Sequence, residues 1–289
     1  MFPAALGGYV GPLDLVPGAI FAGALRRLRA AYSGPLCRIR ENGANAERDF
    51  YPDGDGWIDR AAVAGFLGAN SGFVVTLYDQ SGGGNHFTQA TSTKQPRYVA
   101  NISGLGGRPG MLFNGSNDIL VASNFSTAQA GMVIAAFRTG AITTGDHILL
   151  SSADEATAGI RLNVVYAATN NRLRINQQNN DTTDSVAGPT TQIAASTSYI
   201  AAYKSDGSAY TIRRNGANQT LSVLNGANNG DWFGDVTGAD NYSLGGGKWN
   251  AEAQWLLGHV TELIVYGADM SVTYQGLLEA ALNSVYRVY

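Results

Sequence analysis

The side chains that could do chemistry concentrate in two stretches of the sequence. The first follows residues 73–78, an apolar and β-branched run that is typical of a buried strand. Three glycines stand at 82–84, with Asp79, Asn85 and His86 around them. Glycine permits positive φ and close backbone approach, so a tight, shaped loop is expected. A carboxylate, an amide and an imidazole on one loop could together hydrogen-bond a polar ligand such as a sugar.

The composition of this glycine loop (residues 79–89) is also compatible with two other roles. A phosphate-binding loop needs a helix after the glycines and usually a lysine, and the following residues supply neither, which disfavours it. In a structural role, Asp79 and Asn85 hold the loop through side-chain to backbone hydrogen bonds. The structural role and the sugar-facing role both remain open.

The second stretch lies between residues 225 and 255, where Gly-rich loops carry aromatic rings beside polar groups. Three of the four tryptophans fall within 231–255. Trp232 and Trp249 are candidates for a sugar-stacking platform, whereas Trp255 is assigned to a core strand. The alternative is that both rings plug the ends of the fold. The predicted carbohydrate-binding residues are Asp79, Asn85, His86, Asp231, Trp232, Asn241, Lys248 and Trp249.

Neither a metal site nor a cofactor is predicted. The three histidines are far apart and show no metal-ligand spacing. Residues 53–59 resemble a calcium loop, but Tyr51 and Ala62 then stand where the first and last ligands belong. The single cysteine, Cys37, cannot form an internal disulfide and is expected to be a small buried hydrophobe.

Composition excludes some classes of function. The net charge is −3 and only 14% of residues are charged, so no basic surface indicates nucleic-acid binding. No apolar run is long enough to predict a membrane span, and residues 1–9 lack the features of a signal peptide. The sparse charge is typical of β proteins whose surfaces are covered by Asn, Gln, Ser, Thr and Gly.

Periodicity predicts an all-β sandwich with a few helices at its edge. Residues 1–19 are expected to form an extended arm, and 20–289 a single domain with a helical N-terminal embellishment. Helices are predicted at 20–32, at 60–67 with Asp59 as the cap, and at 272–286 with Ser271 as the cap. Residues 177–191 are expected to form a surface loop. Beyond 73–78, strands are predicted at 97–101, 110–113, 119–122, 132–139, 147–152, 159–167, 171–177, 198–204, 209–214, 219–223, 242–246 and 254–266.

Residues 78–86 read YDQSGGGNH and are followed by Gln89. This run resembles the YDQSGNGNH signature of a concanavalin-like jelly-roll family that includes fungal arabinofuranosidase B catalytic domains and phage surface proteins. Residues 25–40 and 258–266 resemble the same group. The resemblance implies a concanavalin-like jelly roll.

The resemblance also bears on catalysis, because the family uses two catalytic carboxylates. Val133 stands where the family's nucleophilic glutamate is expected, and Gly247 where its acidic aspartate is expected. Neither side chain can donate a proton or attack an anomeric carbon, so the chain is expected not to be an enzyme.

The resemblance therefore predicts a non-catalytic carbohydrate-binding protein on the surface of a phage or gene-transfer-agent particle, such as a head spike or tail fibre. Its expected partners are bacterial surface polysaccharide and other particle proteins, in a homo- or hetero-oligomer made in the host cytoplasm. One alternative is an arabinofuranosidase-type hydrolase with relocated carboxylates, taken from Asp231, Asp235, Asp240 and Glu252. The other is a structural decoration protein.

Overall fold

The computed structural model describes residues 9–142, 145–167, 169–180 and 182–289. Its helices are α1 (Pro12–Leu15), α2 (Arg60–Leu67) and α3 (Val272–Tyr286). The strands are β1 (Ala19–Ala24), β2 (Cys37–Glu41), β3 (Glu47–Phe50), β4 (Gly72–Leu77), β5 (Phe87–Thr88), β6 (Arg97–Ile102), β7 (Arg108–Asn114), β8 (Leu120–Ser123), β9 (Gly131–Thr139), β10 (Asp146–Ala153), β11 (Ile160–Ala167), β12 (Arg172–Asn179), β13 (Thr182–Ala187), β14 (Ser198–Ser205), β15 (Tyr210–Arg214), β16 (Ala217–Asn218), β17 (Ser222–Asn225), β18 (Asn241–Leu244), β19 (Gly247–Trp249), β20 (Ala251–Ala253) and β21 (Leu257–Tyr266).

The strands form two antiparallel layers, which confirms the predicted all-β jelly-roll sandwich. In the front sheet the strands lie in the order β8-β18-β10-β11-β12-β13-β17. In the back sheet the order is β1-β21-β9-β14-β15-β16. The strands β2 to β7 join the two layers at one edge, since β5 pairs with β8 and β7 pairs with β21.

Side chains that alternate along the strands build separate cores. Val133 and Phe137 of β9 meet Leu162 and Tyr166 of β11 in the main core between the sheets. A second core lies where the back sheet packs against α1 and α3. A third, small cluster contains Trp249 and covers the outer face of the front sheet. Because side chains alternate between the two faces of a strand, residues of β10 and β11 that point away from the main core leave part of that outer face apolar.

The predicted helix at 20–32 is wrong, because Ala19–Ala24 is a strand that pairs with β21. Phe21 enters the main core while Ala22 and Ala24 face the second core. Both faces of β1 are thus buried, so apolar residues occur at every position and mimic a helical stripe. The arm is not wholly extended, since it contains the short helix α1; residues 1–8 of it lie outside the described residues.

The predicted surface loop at 177–191 is also wrong over part of its length. The strand β12 continues to Asn179, and β13 pairs with it. The turn at Asn215-Gly216 joins β15 to β16, with φ of 50° and 76° at the two residues. The later strand β17 pairs instead with β13.

The other helices and the strand at 73–78 are confirmed. Asp59 Oδ1 accepts a hydrogen bond from the Ala62 amide at 2.9 Å and caps α2. Ser271 Oγ accepts from the Tyr274 amide at 3.3 Å and caps α3. The helix α3 packs on the back sheet outside the sandwich, as predicted. The buried strand β4 leads directly into the glycine loop.

A buried ionic network fastens both chain ends to the back sheet. Glu262 of β21 is fully buried and accepts bonds from Arg26 at 2.7 and 3.1 Å. The Tyr286 hydroxyl donates to the same carboxylate at 2.8 Å. A buried charge is costly unless its hydrogen bonds are made, and here the Glu262 carboxylate accepts three. The bidentate geometry therefore fixes how the N-terminal segment and α3 dock on the back sheet.

Candidate functional site

A groove crosses the edge of the front sheet near the ends of β8, β10, β18 and β19. It consists of two adjoining cavities of about 490 Å³ and 410 Å³. Glu155 and Lys248 line both cavities, and the Lys248 amino group lies 2.6 Å from a Glu155 carboxylate oxygen. This ion pair therefore marks the junction between the two halves of the groove.

The larger cavity holds a second glutamate. Both oxygens of Glu252 accept hydrogen bonds from the Lys94 amino group, at 2.9 and 2.8 Å. Glu252 and Lys248 are directly opposite each other across the β19–β20 pair. The cavity is completed by Asn117, Trp249, Asn250, Ala251 and Trp255. Two carboxylates and two indole side chains thus line one space.

Trp249 contributes an edge to the cavity and not an open face. Its indole packs on the outer-face cluster with Ile148 and Val165 and is only 9% exposed. The Arg161 guanidinium lies 4.7 Å from the ring centroid and covers the ring. Trp249 also covers Gly247, where an added Cβ would lie 1.7 Å from the indole. An open stacking platform at Trp249 is therefore not present.

The smaller cavity is lined by His86, Asn241 and Lys248, which come from three distant parts of the sequence. His86 Nδ1 accepts a bond from the Asp79 backbone amide at 3.0 Å, so Nε2 carries the proton in the neutral ring. The Asn241 amide group donates to the Ala153 and Lys248 carbonyls, each at 3.0 Å. His86 and Asn241 are thus held in place by backbone groups.

Asp79 and Asn85 hold the glycine loop beneath this cavity. Asp79 Oδ1 accepts from the amides of Ala22 and Ser81, at 3.0 and 2.8 Å. Its Oδ2 accepts from the Ser81 hydroxyl and the Asn85 amide, at 2.8 and 3.1 Å. The Asn85 side chain donates to the Ile20 carbonyl at 2.8 Å. These hydrogen bonds are the ones expected if Asp79 and Asn85 have a structural role and hold the loop in place.

Asp231 and Trp232 line neither cavity. Trp232 is fully buried and packs on Phe233, so it plugs the main core. Asn229 donates to carboxylate oxygens of Asp184 and Asp231, at 3.0 and 2.8 Å. Burial raises the pKa of Asp231, and the nearby charges of Asp235 and Asp184 act in the same direction.

The groove thus gathers His86, Asn241, Lys248 and Trp249 from the predicted binding set, whose role in sugar binding stays a prediction. Sequence reasoning missed Glu155, Lys94 and Trp255. Trp255 was assigned to the last strand because apolar residues follow it. That strand begins at Leu257, and the positive φ of Gln254 turns the chain just before the indole.

The two positions compared with the family carboxylates have clear places in the fold. Val133 is fully buried in the main core and lines neither cavity of the groove. Gly247 lies under the Trp249 ring.

Across the described ranges, no three His, Cys, Asp or Glu residues are grouped so that they could hold a metal ion. No helix in the same ranges is long and apolar enough to cross a membrane.

Comparison with known proteins finds arabinofuranosidases. The chain is 37% identical over 65 residues to an alpha-L-arabinofuranosidase of Hypocrea jecorina. It is 38% identical over 66 residues to a probable alpha-L-arabinofuranosidase B of Aspergillus clavatus. These matches cover 22% of this chain and 13% of each relative. No family model matches the sequence.

Solved arabinofuranosidase structures share the fold over almost the whole chain. A GH54 α-L-arabinofuranosidase soaked with a cyclic sulfate inhibitor superposes with a TM-score of 0.71 and 18% identity, over 96% of this chain and 66% of that one. An arabinofuranosidase complexed with arabinofuranosyl-α-1,2-xylobiose gives a TM-score of 0.68 and 17% identity, over 96% and 65%. The chain has the β-sandwich fold of these structures.

These similarities correct the predicted function. A non-catalytic phage adhesin is contradicted, because the sequence relatives and the solved structures that share the fold over almost the whole chain are arabinofuranosidases. The expectation that the chain is not an enzyme is contradicted by the same similarity. Nothing found supports the virion, head-spike or tail-fibre interpretation. Bacterial polysaccharide and particle proteins as partners, the oligomer and the particle location stay predictions.

Proposed function

We propose that this protein is a glycoside hydrolase of the arabinofuranosidase type that cleaves its substrate in the groove. The observation that carries the proposal is the larger cavity, in which Glu155 and Glu252 line one space beside the indole side chains of Trp249 and Trp255. Hydrolysis of a glycosidic bond needs two carboxylates that flank it, and this cavity supplies them. Val133 and Gly247 have no part in the reaction.

The surroundings of the two glutamates suit different roles. Glu252 has a side chain that is 20% exposed, and both of its oxygens bind the Lys94 ammonium. This suits the ionised carboxylate that faces the positively charged, oxocarbenium-like sugar of the transition state. Glu155 is 58% exposed at the side chain and binds Lys248 through one oxygen. We assign Glu155 the acid that protonates the leaving oxygen, a role that requires its carboxyl group to take up a proton and separate from Lys248, because the ammonium favours the ionised form.

Other groups of the groove suit binding of a small sugar ring. Trp255 is half-buried at the rim, and Asn117 and Asn250 offer amide donors and acceptors beside it. In the smaller cavity, His86 and Asn241 extend the polar surface beyond Lys248. Because Glu155 stands between the cavities, the two sugars joined by the scissile bond would occupy opposite halves of the groove.

The proposal is tested by incubating the purified protein with 4-nitrophenyl α-L-arabinofuranoside and, separately, with arabinan. We expect nitrophenol from the first and free arabinose from the second. Binding of either compound without release of product would overturn the proposal. Product release that survives the double replacement of Glu155 and Glu252 by glutamine would reject the assignment of these carboxylates.

A further inference from the structure

Three arginines occupy one part of the outer face of the front sheet. Arg161 lies on β11, and Arg172 and Arg174 lie on the neighbouring strand β12. Arg174 is directly opposite Val165, and Arg172 is directly opposite Ala167. Side chains at directly opposed positions lie on the same face of a sheet. The three guanidinium groups are therefore exposed, at least in part, on the face that also carries the Trp249 cluster.

The positive charge of this arginine cluster (Arg161, Arg172 and Arg174) is only partly neutralised. Arg174 forms an ion pair with Asp146. Burial lowers the pKa of Arg172, and the charge of Arg174 lowers it further, while Asp146 opposes the shift. Burial also lowers the pKa of Arg161, again opposed by Asp146. Among the residues that the structure describes, Asp146 is the one carboxylate that acts on these three guanidinium groups, and it forms an ion pair with Arg174 alone.

The cluster also has unused hydrogen-bond donors. The Nε–H groups of all three arginines are buried and have no hydrogen-bond partner within the described residues. Buried donors are normally satisfied, and the guanidinium fork matches the geometry of a planar carboxylate or another oxyanion. Unmatched charge and unmatched donors at the same place indicate a negatively charged ligand.

The cluster adjoins the groove through Trp249. The indole packs on Val165 and Ala167, which are the cross-strand neighbours of Arg174 and Arg172, and it carries Arg161 over its ring. The same indole also lines the larger cavity. A sugar chain that fills the cavity can therefore continue past Trp249 onto the arginines.

We propose that the arginine cluster is a subsite for a negatively charged sugar of the glycan, one that bears a carboxylate or a sulfate group. The inference rests on the proposed function, because it makes the substrate a branched or mixed glycan with acidic units next to the cleaved sugar. Arg172 and Arg174 contact the anionic group, and Arg161 closes over Trp249 between that group and the cavity.

The test compares binding of galacturonic acid, its methyl ester, sulfated galactose and galactose by NMR titration at low salt. We expect each anionic sugar to bind about tenfold more tightly than its neutral counterpart, and the preference to shrink as salt is added. The stronger of the two anionic sugars identifies the natural group. Arg172→Gln should remove the preference, whereas Arg48→Gln, which removes a charge from exposed β3, should keep it.

Equal binding of charged and neutral sugars by the wild-type protein would overturn the subsite. A preference that persists in Arg172→Gln and also in Arg161→Gln would do the same. Hydrolysis of the neutral nitrophenyl arabinofuranoside is measured on the same samples. Turnover without an anion preference would reject the subsite and keep the hydrolase. An anion preference without turnover would support the subsite and reject the hydrolase.

Discussion

The indole ring of Trp249 lies directly on the backbone of Gly247. A Cβ added to Gly247 would be 1.7 Å from one ring carbon and 2.3 Å from the next. No side chain fits at 247 while the indole keeps its place. An acid at position 247 and the observed position of Trp249 therefore exclude each other, and the carboxylates of the groove must come from elsewhere in the sequence.

Gly247→Ala should destabilise the protein by about 1–3 kcal/mol, because the added methyl group forces the indole or the strand to move. In a Trp249→Ala background the same substitution should cost much less, since the obstacle is gone. Denaturant unfolding of both single variants and the double variant measures this coupling. Additive costs would show that the two residues do not exclude each other.

Gly65→Ala is the matched control for that substitution. Gly65 lies in α2, and a Cβ there meets nothing within 4 Å. This variant should be more stable than the wild type by about 0.5–1 kcal/mol, because alanine is the better helix former.

Asp79→Ala should lower the free energy of unfolding by about 1–3 kcal/mol, because four donors of the glycine loop region lose their acceptor. Thermal unfolding measures the loss. Asp55→Ala, at an exposed acid in the turn before α2, is the control and should change stability little. An unchanged melting temperature with weaker sugar binding would assign Asp79 to the ligand and not to the scaffold.

Asp118 should make stability fall as the pH rises from about 4 to about 6. Its side chain is buried, and burial raises its pKa to about 6 from 3.8 in spite of the bond from the Asn114 amide. Between these two values the folded state binds more protons than the unfolded state, so each step up in pH weakens the fold. The loss is of order 1–3 kcal/mol across this window.

Melting curves at several pH values should reveal this trend as a difference between the wild type and Asp118→Asn. The asparagine keeps an acceptor oxygen and cannot ionise, so the variant should gain stability relative to the wild type as the pH rises above 4. A difference that stays constant across the window would contradict the raised pKa.

The elements that could be predicted from the sequence are those whose residue pattern depends only on nearby residues. The strand before the glycine loop and the capped helices α2 and α3 each carry a periodic or capping signal of their own. The strand β1 was mistaken for a helix because burial on both faces removes the alternation. The strand β13 was missed because its polar residues, such as Asp184, read as a loop.

The groove was only partly predictable for a different reason. His86, Asn241, Lys248 and Trp249 could be named because aromatic and polar residues crowd their segments. Glu155 gives no such signal, since it follows β10 in an ordinary loop and becomes a groove residue only when β19 brings Lys248 beside it. The spacing of residues along the sequence does not reveal that tertiary contact.

The central claim is that Glu155 and Glu252 together cleave glycosidic bonds in the groove. The most direct measurement is kcat for 4-nitrophenyl α-L-arabinofuranoside in the wild type, Glu155→Gln, Glu252→Gln and the exposed control Glu47→Gln. We expect turnover by the wild type and the control, and a loss of about 10²–10⁴-fold in each groove variant with the fold intact. Equal kcat values in all four proteins, or no turnover by the wild type, would contradict the claim.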